Sequence, residues 1–155
     1  MPDFKIIEVE ERPYLYVDRT CSMDPAEISR TMGDAFSHVF GFMGERKIKP
    51  AEPPISVYYT YDPETIAFRA GFLVSKQDAR KAAGDVKAGV TPAGRVVHFV
   101  HTGPYSTLRA SYGEMMSWLE KEGLKLGVPT WEVYIDDPDR TPEDKLRTEV
   151  FVALA

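Results

Sequence analysis

The chain has 155 residues, 43% hydrophobic and 28% charged, the size and balance of one ordinary soluble domain. Roughly 70% of the unfolded surface can be buried at this length, so no staple is needed, and the single cysteine, Cys21, makes neither an internal disulfide nor a cysteine-based zinc site. Lys plus Arg number 19 against 24 Asp plus Glu, a net charge of −5 that is the wrong sign for gripping phosphate backbones, so direct nucleic-acid binding is not expected.

The N-terminus runs into Glu8, Glu10 and Glu11 without a basic region followed by an apolar one, and no apolar run approaches the length of a membrane span. A cytoplasmic location without membrane contact is the expectation. Eight tyrosines, eight phenylalanines and two tryptophans are more aromatics than a plain core requires.

Residues 4–12 and 14–20 hold alternating and β-branched residues broken by Pro13, which predicts a kinked strand or a strand pair. Asp24-Pro25-Ala26-Glu27 then predicts a helix start, with Asp24 as cap, Pro25 at the first helical position and Glu27 reaching back. Ile28, Met32, Ala35, Phe36, Val39, Phe40 and Met43 fall on one face of a 3.6-residue period that ends near Gly44. After a proline-rich link at 49–54, residues 55–61 form a strand, 62–65 a turn and 66–74 a returning strand.

Residues 75–94 are small and polar and predict a connector with one short edge strand near Val86 to Val90. Residues 95–102 predict a strand, Leu108, Tyr112, Met115, Met116 and Leu119 a second helical stripe ending near Gly123, and 130–135 and 147–154 two further strands around the turn at 136–139. Trp118 sits one helical step off that stripe and is expected to pack.

The stripe at 28, 32, 35, 36 and 39 recurs at 108, 112, 115, 116 and 119, a constant displacement of 80, and the hairpin at 57–63 matches 132–138 at a displacement of 75. Such self-similarity predicts a duplication of strand-helix-strand-strand. The expectation is one α+β domain over 1–155, with an antiparallel sheet, two helices, halves of about 1–74 and 95–155 joined by a connector at 75–94, and a pseudo-twofold cleft for a ligand.

No G-x-S-x-G, G-x-G-x-x-G, phosphate-binding Gly-Lys loop or H-E-x-x-H occurs, so no cofactor is expected. His98 and His101, three apart on a strand, point to opposite faces and cannot share a metal, so no metal site is expected either.

The informative stretch is Trp131-Glu132-Val133-Tyr134-Ile135, a glutamate inside an apolar and aromatic strand, where the matching hairpin has Val57. Glu132 and Tyr134 share one face, Trp131, Val133 and Ile135 the other. If the latter face meets the helix, Glu132 and Tyr134 face the cleft; if not, Trp131 does. The plain alternative is an edge-strand glutamate in solvent. A carboxylate in an aromatic cleft would resist ionisation until a cation arrived, with tyrosine and tryptophan faces adding cation–π attraction, or it would orient a water as general base. Trp131, Tyr134 and Tyr105, with Tyr58, Tyr59 and Tyr61 from the first half, are the candidates to line or border that cleft.

His101-Thr102-Gly103-Pro104-Tyr105 opening a helix, then Trp131-Glu132-Val133-Tyr134 with Asp137-Pro138, then Leu146-Arg147-Thr148-Glu149-Val150, resembles the GyrI-like, or bacterial transcription-activator effector-binding, domain over essentially the whole chain. The resemblance implies binding of hydrophobic, often cationic, aromatic small molecules for multidrug-type sensing or sequestration. The family's ligand-contacting glutamate falls on Glu132, its neighbouring aromatic on Trp131, and its Gly-Pro-Tyr motif on Gly103, Pro104 and Tyr105. Some free-standing relatives similar in having tryptophan before the glutamate are hydrolases of cyclopropane-bearing, DNA-alkylating compounds, which implies an alternative with Glu132 and Trp131 as catalytic residues. A third implied role is inhibition of a protein partner such as gyrase. The regulators of the family carry an attached DNA-binding segment, and these 155 residues show none.

Overall fold

The structure, a computed structural model, describes residues 2–49, 53–60 and 62–155. Its elements are β1 (Lys5–Val9), β2 (Pro13–Ser22), α1 (Pro25–Glu45), β3 (Pro54–Tyr58), β4 (Thr65–Leu73), the short α2 (Lys76–Ala79), β5 (Lys87–Val90), β6 (Gly94–Thr102), α3 (Leu108–Glu122), β7 (Leu126–Tyr134) and β8 (Arg147–Leu154). The fold is α+β: the strands form one antiparallel sheet in the order β1-β6-β8-β7-β3-β4-β2-β5. Exchanging β1 to β4 with β5 to β8 turns this order into its own reverse, so the topology is symmetric about the β3/β7 junction.

Chain connectivity dictates the shape of this sheet. Residues 10–12 join β1 to β2, and residues 91–93 join β5 to β6, yet each link connects strands six places apart in the order. Six strand spacings span roughly 28 Å in a flat sheet, whereas four Cα steps reach at most about 14 Å. The sheet is therefore rolled, and the two links lie side by side, with Arg12 N donating to Thr91 Oγ1 at 3.0 Å and Thr91 N to Arg12 O at 2.8 Å. Rolling also decides the N-terminal region: β1 and β2 do not pair with each other, because β1 joins β6 while β2 lies between β4 and β5.

Each face of the roll has its own core. On the outside, α1 lays Ala35, Val39 and Met43 on Leu15, Val17, Phe68 and Ala70 of β2 and β4. The second helix, α3, lays Leu108, Met115 and Leu119 on Val97, Phe99, Val150 and Val152 of β6 and β8, with Trp118 packed against the same cluster beside Phe4. Inside are Tyr14, Tyr16, Ile55, Val57, Leu73, Val96, Trp131 and Val133. Two stripe residues stay largely exposed, Phe40 at 58% and Met116 at 50%, while Ile28, Met32, Phe36 and Tyr112 are partly buried.

Local chemistry at the start of α1 differs from expectation. Asp24 occupies the cap position without a side-chain cap bond. Glu27 does reach back, but to Ser22, whose hydroxyl and backbone N–H both donate to its carboxylate. These bonds hold the Glu27 carboxyl below its usual range.

The central register also revises the matching of the two hairpins. Ser56 lies opposite Glu132, and Val57 opposite Trp131. Val57 points into the roll, so the β3 residue that shares the face of Glu132 here is Ser56, one residue before the sequence match. A slip of one residue moves a side chain to the other face of a sheet, which is why a match by residue type alone chose the wrong partner.

Candidate functional site

Helix α1 covers β2 and β4 and α3 covers β6 and β8, so the outer face of the central pair, β3 and β7, lies between the helices. The alternation of β3 and β7 places Ser56, Tyr58, Glu132 and Tyr134 on this strip. Glu132 is only 6% exposed, and its charge is addressed by hydroxyls. Tyr112, from α3, donates to Glu132 Oε2 at 2.5 Å, and Tyr134 donates to Oε1 at 2.7 Å. Ser56 Oγ lies 2.7 Å from the Tyr134 hydroxyl and 3.1 Å from that of Tyr58, so both halves of the chain join one network.

Aromatic groups enclose it. Tyr105 and Phe36 meet the Tyr134 ring edge-on, with centroids 5.6 and 6.1 Å away, and Met32 Sδ lies 3.7 Å from the Tyr134 hydroxyl. Phe99 meets the Tyr112 ring in the same way at 5.9 Å. Tyr105 is 40% exposed and borders the cluster from the solvent side. Its motif is built locally: Gly103 has φ +136, in the region that favours glycine, and its N–H donates to Leu146 O at 2.7 Å. Buried His101 places Nδ1 2.6 Å from Ser111 Oγ and Nε2 3.2 Å from the carbonyl of Pro104, tying β6 to α3. His98 is on the inner face, paired with Glu149 at 2.9 Å, so the two histidines do point apart.

Burial pushes the Glu132 carboxyl above the usual carboxylate range, while the Tyr112 and Tyr134 hydroxyls and the His101 imidazole pull it back. Tyr134 and Tyr58 are pushed well above the ordinary phenol value, chiefly by burial and then by the Glu132 charge, so both remain protonated. Tyr105 is raised by burial and then by Asp136, Asp137 and Glu132.

A pH signature follows. Because the folded Glu132 carboxyl keeps its proton to higher pH than the unfolded value near 4.5, its stabilising contribution is fully present below that value and is lost as pH rises through the raised one. Glu132→Gln cannot ionise and lacks this slope. Urea unfolding between pH 4 and 8 is expected to show the parent losing stability relative to the variant as pH rises. Parallel curves would mean that the carboxyl ionises as freely as in the unfolded chain.

Of the residues singled out in sequence, Glu132, Tyr134, Tyr58 and Tyr105 come together on the strip. Trp131 does not: it points into the roll, stacked on Phe151 with centroids 5.2 Å apart and planes 11° from parallel. Tyr59 lies past the end of β3, half exposed, with its ring 4.6 Å from the Arg69 guanidinium. Tyr61 falls outside the described residues. Tyr112, Ser56 and His101 were not singled out for the cleft. Tyr112 carried a signal, a tyrosine in a sheet-facing stripe whose hydroxyl needs a partner when buried.

A rolled antiparallel sheet with two outer helices and a carboxylate between them defines a small-molecule-binding architecture. The profile of the GyrI-like small molecule binding domain matches residues 2–155, and the chain belongs to that family. Among solved structures it is similar to EcmrR in a complex with DNA, at TM-score 0.77 and 20% identity, covering 99% of this chain and 57% of EcmrR. The chain thus spans little more than half of EcmrR, and it matches 98% of the separate EcmrR C-terminal domain at TM-score 0.73 and 20% identity, covering 100% of this chain. It is also similar to SAV2435 bound to tetraphenylphosphonium, at TM-score 0.65 and 8% identity over 99% of this chain and 94% of that one. A hydrolase from Listeria innocua matches at TM-score 0.63 and 20% identity, over 98% and 91% of the two chains. No curated protein sequence matches. Among the described residues no helix is long and apolar enough to cross a membrane.

Proposed function

We propose that the strip between α1 and α3 binds hydrophobic, cationic aromatic molecules with Glu132 as their charge partner, for multidrug-type sensing or sequestration. The observation that carries this reading is a buried carboxylate, held by the Tyr112 and Tyr134 hydroxyls between aromatic walls. A cation that loses its water there gains both the carboxylate and the ring faces. The occurrence of tetraphenylphosphonium in SAV2435 supports the ligand class. In this reading 1–155 acts as one effector-binding domain, with Tyr58 and Ser56 from the first half and Tyr112, Glu132 and Tyr134 from the second.

Calorimetric titration with tetraphenylphosphonium is the test. Saturable binding that strengthens as pH rises through the range where Glu132 ionises supports the reading, and binding indifferent to pH refutes Glu132 as partner.

The alternative is hydrolysis of a strained, cyclopropane-bearing electrophile by water activated at Glu132. Two observations favour it: the likeness to a hydrolase, and the Thr148 hydroxyl, which is buried without a hydrogen-bond partner among the described residues, in the strand row between Tyr134 and His101. Such a hydroxyl would hold a water or a polar ligand group. Multiple turnovers in labelled water with one labelled oxygen per product would establish hydrolysis, and stoichiometric protection without product would leave sequestration.

A further inference from the structure

We propose that the inner face of the rolled sheet carries a second binding groove, independent of the Glu132 cleft, for a compact aromatic amine. A groove of about 420 Å³ opens where the links 10–12 and 91–93 meet. That is enough for a ligand of one or two rings. Its floor is the stacked pair Trp131 and Phe151, extended by Leu73 and Val133, so a flat ring finds an apolar bed. Glu149 also lies in the groove, and His98 holds its Oε1 at 2.9 Å, which orients the carboxylate.

Charge selects the amine. Glu149 and the rim residue Glu10 outnumber the single guanidinium, that of Arg12. An ammonium beside Glu149 would gain ion pairing and the neighbouring ring faces. A carboxylate on the same ring would meet two like charges. Trp131 and Glu132 are successive residues of β7 pointing to opposite faces, so the sheet itself separates this groove from the outer cleft.

Trp131 makes the groove measurable, because Trp118→Phe leaves it as the chain's only tryptophan. In that background 4-nitrophenethylamine, whose nitroaromatic ring quenches indole on contact, is expected to quench emission saturably. Glu149→Gln should raise the half-saturation concentration about tenfold, the loss of one charge-assisted contact. Glu132→Gln should change it less than about twofold, since uncoupled sites behave additively. The anion 4-nitrophenylacetate should not saturate. Linear quenching by amine and anion alike overturns the proposal. So does weakened binding in Glu132→Gln with Glu149→Gln unaffected, which would put the amine in the outer cleft. If Glu149→Gln lowers the unfolding midpoint through loss of its pair with His98, Glu10→Gln decides instead: about threefold weaker binding supports the groove, and unchanged binding overturns it.

Discussion

Glu132→Gln is expected to weaken tetraphenylphosphonium binding by about 30–100-fold while leaving the fold intact. The substitution keeps the volume and removes only the charge. In water such a change costs little, but Glu132 is 6% exposed, and a charge pair formed away from solvent is screened poorly. Losing one member of a desolvated pair typically costs about 2–5 kcal/mol, and the expected change sits near the lower end because the aromatic walls of Tyr134, Tyr105 and Phe36 are unchanged by the substitution. A neutral aromatic such as triphenylphosphine oxide should bind parent and variant alike. The decisive measurement is the ratio of the two affinities in each protein by calorimetry at low salt. Equal tetraphenylphosphonium affinity in parent and variant would remove Glu132 from the site.

Gly71→Ala should have the largest effect on stability, about 3–5 kcal/mol, because of the close approach of β2 and β4. A Cβ at Gly71 would lie 1.7 Å from Leu15 O and 2.9 Å from Tyr16 Cα, both backbone atoms that cannot turn away. Gly71 pairs directly with Tyr16 across the ladder, and Leu15 is the next residue of β2, so relief requires moving β2, which carries Leu15 and Val17 under α1. The contrast is Gly89, where an added Cβ would meet the Tyr14 and Tyr16 rings at 3.0–3.1 Å, side-chain contacts that give more readily. For a chain of this size the Gly71 loss corresponds to a Tm lower by roughly 10 °C, and Gly89→Ala should lower it by less than half as much. An unfolding midpoint for Gly71→Ala equal to that of the parent would disprove the close approach.

Much of the fold was legible in sequence. The two helices follow from apolar residues at a 3.6-residue period, which only a helix can gather on one side. The hairpins follow from β-branched and aromatic runs around Asp62-Pro63 and Asp136-Asp137-Pro138. Even the short edge strand near 86–90 is present as β5. Two of the misplaced features, a strand register and a side-chain partner, are ones that local pattern does not fix. Pairing Val57 with Glu132 by residue type missed Ser56, and capping α1 with Asp24 missed Ser22.

Sequence alone also determined that Glu132 and Tyr134 share a face and that Trp131 does not, since strand geometry alternates. It did not determine which of those faces is the cleft. A strand with one wet face announces its orientation by alternating polarity, but β7 is central in a rolled sheet, and residues 129–133 are all buried. With both faces covered, the pattern is the same whichever way the strand is turned. Only the closure of the roll by the links 10–12 and 91–93 makes the Trp131 face the inside, and only the seating of α3 brings the Tyr112 hydroxyl to a carboxylate twenty residues away in the chain.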